Sequence, residues 1–120
     1  MTFSLTSLVV DAADLESESS FWHRLFGGSI TRTGTHHFLQ IDGLPMIVIQ
    51  HAPGHVPPQW PGGAAQQVHF DLATDDAATA DRRVLDAGGR RLRPAGDVVA
   101  PAGSRVYASP AGHPFCVRSA

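Results

Sequence analysis

The chain has 120 residues, 42% of them hydrophobic and 17% charged, with a formal net charge of −2 at pH 7. This length fits one domain with a real hydrophobic core and is too short for two ordinary domains. The nine basic residues are all arginines and form no basic run, which argues against a nucleic-acid partner, and no apolar run approaches the roughly 20 residues of a membrane span. A disulfide within the chain is excluded because Cys116 is the only cysteine, and without a signal-peptide pattern we expect a cytoplasmic protein.

The first half of the chain predicts one helix between strands. Residues 3–10 are β-branched and apolar, which is typical of a strand. Asp14 is a good helix N-cap, and Gly27-Gly28 is expected to end that helix. Three strands follow over residues 29–33, 37–41 and 46–50, with Gly34 and the Asp42-Gly43 pair as turns.

The second half repeats this order after a connector rich in Pro and Gly, residues 53–65. A strand over residues 68–73 precedes a helix capped by Asp75 or Asp76. Further strands are predicted over residues 91–93, 104–108 and 115–118, with turns at 95–96 and 110–112. The predicted buried stripe of the helix is Ala77, Ala80, Val84 and Ala87, and Gly88-Gly89 ends it.

The spacing of the two halves indicates an internal duplication. Ser7 precedes the cap Asp14 by seven residues, as His69 precedes Asp76. We therefore predict an α+β fold of two tandem βαβββ units, about residues 3–52 and 66–119, in a single domain. Their mixed sheets are expected to curl around a shared cleft with the helices outside.

Alternation along each predicted strand separates helix-facing side chains from cleft-facing ones. The predicted core side chains are Leu39, Ile41, Ile47, Ile49, Val68, Phe70, Leu72, Val106, Ala108, Phe115 and Val117. The predicted cleft side chains are Phe38, Gln40, Met46, Val48, Gln50, Gln67, His69, Asp71, Arg105, Tyr107, Ser109, Cys116 and Arg118. This mixture of polar and aromatic groups suits a small organic ligand.

Two stretches carry a resemblance to a known family: residues 68–72, VHFDL, and residues 109–115, SPAGHPF. With the paired βαβββ units and Trp60-Pro61, they resemble the vicinal oxygen chelate superfamily, the glyoxalase and bleomycin-resistance group. The nearest likeness is to the small glyoxalase-like domains of high-GC bacteria. The resemblance implies the fold, whereas the reactions within this superfamily differ widely.

In metal-dependent members, the resemblance implies one divalent ion held by two side chains from each unit. These positions fall on Ser7, Gln50, His69 and Cys116. Only His69 is a ligand of the usual type, and the set contains no carboxylate for a hard cation. Zinc could use His69 and Cys116, but a stable structural site takes four such ligands. We therefore expect no metal and no other cofactor.

The leading hypothesis is a binding protein that sequesters an aromatic natural product or drug, of the antibiotic-resistance type. Phe38, Trp60 and Tyr107 would stack on the ligand, and Gln50, His69 and Arg105 would orient it. Ser7 and Cys116 complete the predicted ligand-binding set. Many relatives dimerise, so the resemblance also implies a homodimer, with no nucleic-acid or membrane partner.

Other interpretations remain open. The chain could be a lyase or isomerase in which His69 acts as general base or metal ligand, supported by Asp71 or Gln50. It could also be a regulatory module without a ligand. In purely structural interpretations, His69 forms a hydrogen bond with Gln50 or Asp71, and Trp60 anchors the connector.

Overall fold

Each half of the chain forms one four-stranded mixed sheet and one helix, in a computed structural model that describes residues 1–66, 68–93 and 104–119. The two compact units are Met1–His55 and Val56–Ala120. The predicted turn at residues 95–96 and the predicted cleft residue Gln67 lie outside the described residues. The expected arrangement of the two sheets around a shared cleft stays a prediction.

The first unit consists of β1 (Ser7–Ala12), α1 (Leu15–Phe26), β2 (Ser29–Arg32), β3 (His36–Gln40) and β4 (Met46–His51). Its strands lie in the order β1-β4-β3-β2, with β1 parallel to β4 and the other pairs antiparallel. As predicted, Asp14 caps α1, because its carboxylate accepts a hydrogen bond from the Ser17 amide at 3.1 Å. Gly27 ends the helix at φ 73°, a backbone conformation that favours glycine.

The start of the first strand was predicted too early. Residues 1–6 form no strand, and Phe3 is 88% exposed. The pairing of β1 with β4 begins only at Ser7, opposite Met46. A β-branched, apolar run favours a strand but cannot supply the partner that the strand needs.

The second unit consists of β5 (Phe70–Thr74), α2 (Ala77–Asp86), β6 (Arg90–Arg93), β7 (Ser104–Ala108) and β8 (Pro114–Ser119). Its strands repeat the order of the first unit, as β5-β8-β7-β6. Asp76, and not Asp75, caps α2 by accepting a hydrogen bond from the Thr79 amide at 3.1 Å. The same element order and strand order in both units confirm the predicted pair of βαβββ units. Among the described residues, no helix has the length and apolar character needed to cross a membrane.

The buried core lies largely where the alternation predicted it. Most predicted core side chains are buried, whereas Ile41, Phe70 and Leu72 are half-buried. The prediction that Val68 is a core residue is wrong. Val68 precedes β5, has no strand partner and is exposed. In α2, the predicted stripe is buried at its second half only. The buried core residues include Leu39, Ile47, Ile49, Val84, Ala87, Phe115 and Val117.

The predicted orientation of β7 is wrong. The Tyr107 hydroxyl donates a hydrogen bond to Asp81 of α2 at 2.6 Å, so this side chain faces the helix. Arg105 lies two residues earlier and shares that face, while Val106 and Ala108 lie on the opposite one. All four side chains are buried, so hydrophobicity could not distinguish the two faces of this strand.

Asp81 holds the helix face of the second sheet together. Its carboxylate accepts hydrogen bonds from Arg91 at 2.8 and 2.9 Å and from Tyr107. Burial alone would raise the pKa of Asp81, but the hydrogen bonds from Tyr107 and Arg91 outweigh it and lower the pKa. Burial, followed by the adjacent Asp81 carboxylate, raises the pKa of Tyr107.

Candidate functional site

The side of each sheet opposite its own helix is called its far face here. In the first unit, Ser7, Phe38 and Gln50 belong to the far face by alternation. Phe38 is half-buried and stacks on His36, with ring centroids 6.0 Å apart. His36 is in turn paired in register with Gln50. Phe38 and Gln50 therefore share one region of this face.

Ser7 lies apart from that region. It is paired with Met46, four residues before Gln50 on β4, which corresponds to about 13 Å along a strand. The first unit therefore does not bring together Ser7 and Gln50, the two positions onto which the resemblance placed its metal ligands.

Gln50 and Cys116, the positions that the resemblance gave on β4 and β8, are not equivalent in the repeat. Val9 and Asp71 each precede their helix cap by five residues, and they pair with Val48 and Cys116 respectively. Val48, a buried apolar residue, therefore occupies the position that is equivalent to Cys116. Gln50 lies two residues beyond that position, and the strand register that shows this offset is a tertiary contact that residue counting does not give.

The second unit aligns four side chains, one from each strand, in a row across its far face. Strand register aligns Asp71, Cys116, Val106 and Arg93 on β5, β8, β7 and β6. Neighbouring strands are about 4.8 Å apart, so the row is about 14 Å long. Its centre is apolar and buried, and its ends are charged.

His69 and Asp71 form the first end of this row. The His69 Nε2 atom lies 3.0 Å from Asp71 Oδ1, and His69 Nδ1 lies 3.3 Å from Gln66 Oε1. Their side chains are 32% and 53% exposed, so a ligand can reach both. The contact between His69 and Asp71 was anticipated, because residues two apart on a strand share a face. Arg118 Nε, 3.9 Å from Asp71 Oδ1, adds a positive charge.

Cys116 adds a thiol to this end of the row. Its Sγ atom, one His69 ring nitrogen and an Asp71 carboxylate oxygen all lie within 4.8 Å of one another. Zinc accepts all three of these ligand types, so the donor set fits a borderline divalent ion. Asp71 was not among the four positions that the resemblance supplied. Its placement two residues after His69 is the sequence signal that puts its carboxylate beside the imidazole.

Trp60 and Arg93 form the other end of the row. Arg93 Cζ lies 5.5 Å from the centre of the Trp60 ring, a cation–π contact. The connector that carries Trp60 packs on the second unit, since a Cβ added to Gly112 would lie 2.6 Å from Pro57 Cβ. Trp60 is half-buried, so it contacts the second unit through Arg93 and is still partly exposed. Arg93 had no motif that marked it as a site residue.

Arg105 and Tyr107 do not join this row. Both face α2, on the other side of the sheet. A ligand on the far face of the second sheet would therefore not contact them. Their assignment to the ligand followed from the orientation of β7 that the structure corrects.

Comparison with known proteins gives the same architecture. Residues 7–118 match a family model described as a glyoxalase-like domain. A glyoxalase-related enzyme from Fulvimarina pelagi superposes with a TM-score of 0.70 at 20% identity, covering 98% of this chain and 88% of that one. The fosfomycin resistance protein FosX from Listeria monocytogenes has a TM-score of 0.70 at 15% identity, with 100% and 95% covered.

A glyoxalase/bleomycin resistance protein/dioxygenase family enzyme from Burkholderia phytofirmans has a TM-score of 0.69 at 14% identity, with 98% of each chain covered. At these identities the similarity concerns the fold. Among proteins of curated function, none matches this sequence.

Proposed function

This chain belongs to the glyoxalase-like domain family, and we propose that it binds a small planar organic molecule on the far face of its second sheet. The observation that carries the proposal is the row between Trp60–Arg93 and His69–Asp71. An aromatic surface, an apolar centre and hydrogen-bonding groups at both ends are what a pocket for a flat molecule requires.

The two ends of the row recognise different chemistry. The Arg93 guanidinium donates in-plane hydrogen bonds to a carboxylate or carbonyl oxygen, while the Trp60 ring stacks on the ligand. Asp71 accepts from a hydroxyl or amine, and His69 can donate or accept. The proposed ligand is therefore an aromatic natural product or drug with an acidic or carbonyl group at one end.

We propose that the protein sequesters this ligand, as a resistance protein would sequester a drug. The described similarity to FosX, which is named as a fosfomycin resistance protein, supports such a role through the fold only. We further propose that the protein acts in the cytoplasm as a homodimer. Light scattering of the purified protein would measure a mass near twice 12.8 kDa if the dimer forms.

The second candidate function is a lyase or isomerase that acts next to a carbonyl group. The hydrogen bond between His69 Nε2 and Asp71 Oδ1 favours it, because a carboxylate orients an imidazole that moves a proton. In this case, His69 would accept the proton and Asp71 would hold the ring. A bound ligand that is chemically unchanged after long incubation supports sequestration, whereas a product that is lost in His69→Ala supports the enzyme.

A thermal-shift screen tests the binding proposal. Planar aromatic acids, aromatic natural products and glutathione adducts are added to the purified chain. A ligand that binds only the native state raises the melting temperature, by an amount that grows with concentration. We expect a shift from at least one planar acidic compound. The absence of a shift with every aromatic class would contradict the proposal.

A further inference from the structure

We propose that a cavity at one end of the first sheet binds a small organic ammonium ion. The cavity has a volume of about 470 Å³, a size typical of small-molecule sites. All the residues that line it belong to the first unit, so the proposal does not rest on the ligand site of the second sheet. The lining residues are Phe26, Gly28, Ser29, Gln40, Ile41 and Asp42.

Three segments of the chain meet at this cavity. The helix α1 ends at Phe26, β2 begins at Ser29, and the turn with Asp42 follows β3. Ser29 is paired in register with Gln40, so the start of β2 and the end of β3 lie side by side. An added Cβ on Gly28 would collide with the Gln40 carbonyl oxygen, so bare backbone forms this part of the wall.

The charge of the cavity favours a cation. Among the described residues that line it, Asp42 alone is ionisable, and this aspartate is exposed. The end of α1 adds partial negative charge, because the helix dipole has its negative pole at the C-terminus. The basic residues in the last turn of α1 are His23 and Arg24, and neither lines the cavity. An ammonium group would therefore donate to the Asp42 carboxylate in a charge-assisted hydrogen bond.

Phe26 supplies an aromatic wall for the hydrocarbon part of the ligand. Its ring stacks on Trp22, with ring centroids 5.7 Å apart. Trp22 is buried, and its indole Nε1 donates a hydrogen bond to Glu18 at 2.9 Å, so the Phe26 ring rests on a fixed support. An aromatic ring of the ligand gains from packing on such a side chain. The class of ligand is therefore an arylalkylamine, with its ammonium group at Asp42 and its ring at Phe26.

Titration of the isotopically labelled full chain with phenethylamine, followed by NMR, tests the cavity. We expect saturating shifts of the amide resonances of Gly28, Ser29 and Asp42, with a dissociation constant on the order of 1 mM for so small a ligand. The amides of Asp71 and Arg93 should not shift, which distinguishes this cavity from the far face of the second sheet. Phenethyl alcohol and phenylacetate carry the same ring without an ammonium group and should give no saturating shift.

Two variants test the assigned groups. Asp42→Ser removes the carboxylate and keeps a residue that suits a turn. It should weaken phenethylamine binding at least about tenfold, because the charge-assisted hydrogen bond is lost. The control Asp75→Ser makes the same change of net charge at an exposed position of the second unit and should bind as the wild type does. Phe26→Leu should weaken binding about threefold through loss of the aromatic contact.

Circular dichroism establishes that each variant is folded. If phenethyl alcohol shifts the same amides of the wild type as strongly as phenethylamine does, or if Asp42→Ser binds as tightly as Asp75→Ser, the assignment is overturned. Shifts confined to Asp71 and Arg93 would overturn it as well. The far-face proposal concerns the other unit and a ligand with an acidic or carbonyl group, so the two proposals can fail separately.

Discussion

The Tyr107 hydroxyl and the Asp81 carboxylate lie 2.6 Å apart and join the middle of β7 to α2 across 26 residues of chain. Asp81 also accepts two hydrogen bonds from Arg91. One carboxylate thus connects three elements of the second unit. The packing of α2 on this sheet depends on the Asp81 carboxylate. The candidate site lies on the opposite face of the sheet.

Replacing this carboxylate should destabilise the second unit. Asp81→Asn removes the charge that Tyr107 and Arg91 bond to, and we expect the free energy of unfolding to fall by about 2 kcal/mol at pH 7. Urea denaturation measures the change. Asp86→Asn, an exposed aspartate on the same helix, is the matched control and should stay within about 0.5 kcal/mol of wild type.

The same pair predicts a dependence on pH. Because the pKa of Asp81 is lower in the folded chain, its stabilisation is present above its unfolded pKa of about 3.9 and is lost as the pH falls through the folded value. The gap in unfolding free energy between wild type and Asp81→Asn should therefore shrink below about pH 4. A gap that is the same at pH 7 and pH 3 would contradict this account.

Local signals in the sequence predicted most of the fold. Asp14, Gly27 and Asp76 act within one or two turns of chain, so their roles could be inferred from neighbouring residues. The orientation of β7 could not, because it depends on Asp81, which is far away in sequence. The register that pairs β4 with β1 could not be predicted for the same reason, since strand pairing is a tertiary contact.

The site was predictable at one end only. His69 and Asp71 share a face because they are two residues apart on an extended segment. At the other end, a register shift between Arg91 and Arg93 places these two residues on opposite faces. Simple alternation would place both arginines on one face. The contact of Arg93 with Trp60 was therefore invisible in the sequence.

In the turn after α1, replacing Gly28 by alanine should destabilise the fold more than the same change at Gly34. Gly28 has a φ of 81°, and an added Cβ would collide with the Gln40 carbonyl oxygen. Gly28→Ala should lower the free energy of unfolding by about 2 kcal/mol, because backbone strain and steric clash both act there. Gly34→Ala is the control: its added Cβ meets no atom within 4 Å. Equal melting temperatures for the two variants would contradict the strain argument.

A buried hydrogen bond joins α1 to β3 in the first unit. Ser19 Oγ lies 2.7 Å from His37 Nδ1, and both side chains are buried. Ser19→Ala should cost about 1–2 kcal/mol in chemical denaturation, because the buried imidazole loses this hydrogen-bond partner. Ser20→Ala, on the same helix but half-buried, should cost less. An equal loss in both variants would indicate a helix effect instead of the hydrogen bond.

Arg93 should give the site its preference for a ligand with a carboxylate at one end. In isothermal titration, Arg93→Gln should weaken binding of a planar carboxylate about tenfold, because one charge-assisted hydrogen bond is lost. Arg90→Gln removes an exposed arginine of the same strand and controls for net charge. The amide analogue of the ligand should bind both variants alike. A similar loss of affinity in Arg90→Gln would contradict a specific role of Arg93 and indicate general electrostatic attraction instead.

The most direct test of the proposed binding surface is the affinity of Trp60→Ala for the planar compound that gives the largest thermal shift. We predict a loss of about tenfold relative to wild type by isothermal titration, with Trp60→Phe intermediate and both variants folded by circular dichroism. Phe38→Ala, on the first unit, should retain most of the affinity. Unchanged binding by Trp60→Ala, together with loss in Phe38→Ala, would contradict a ligand site on the second sheet.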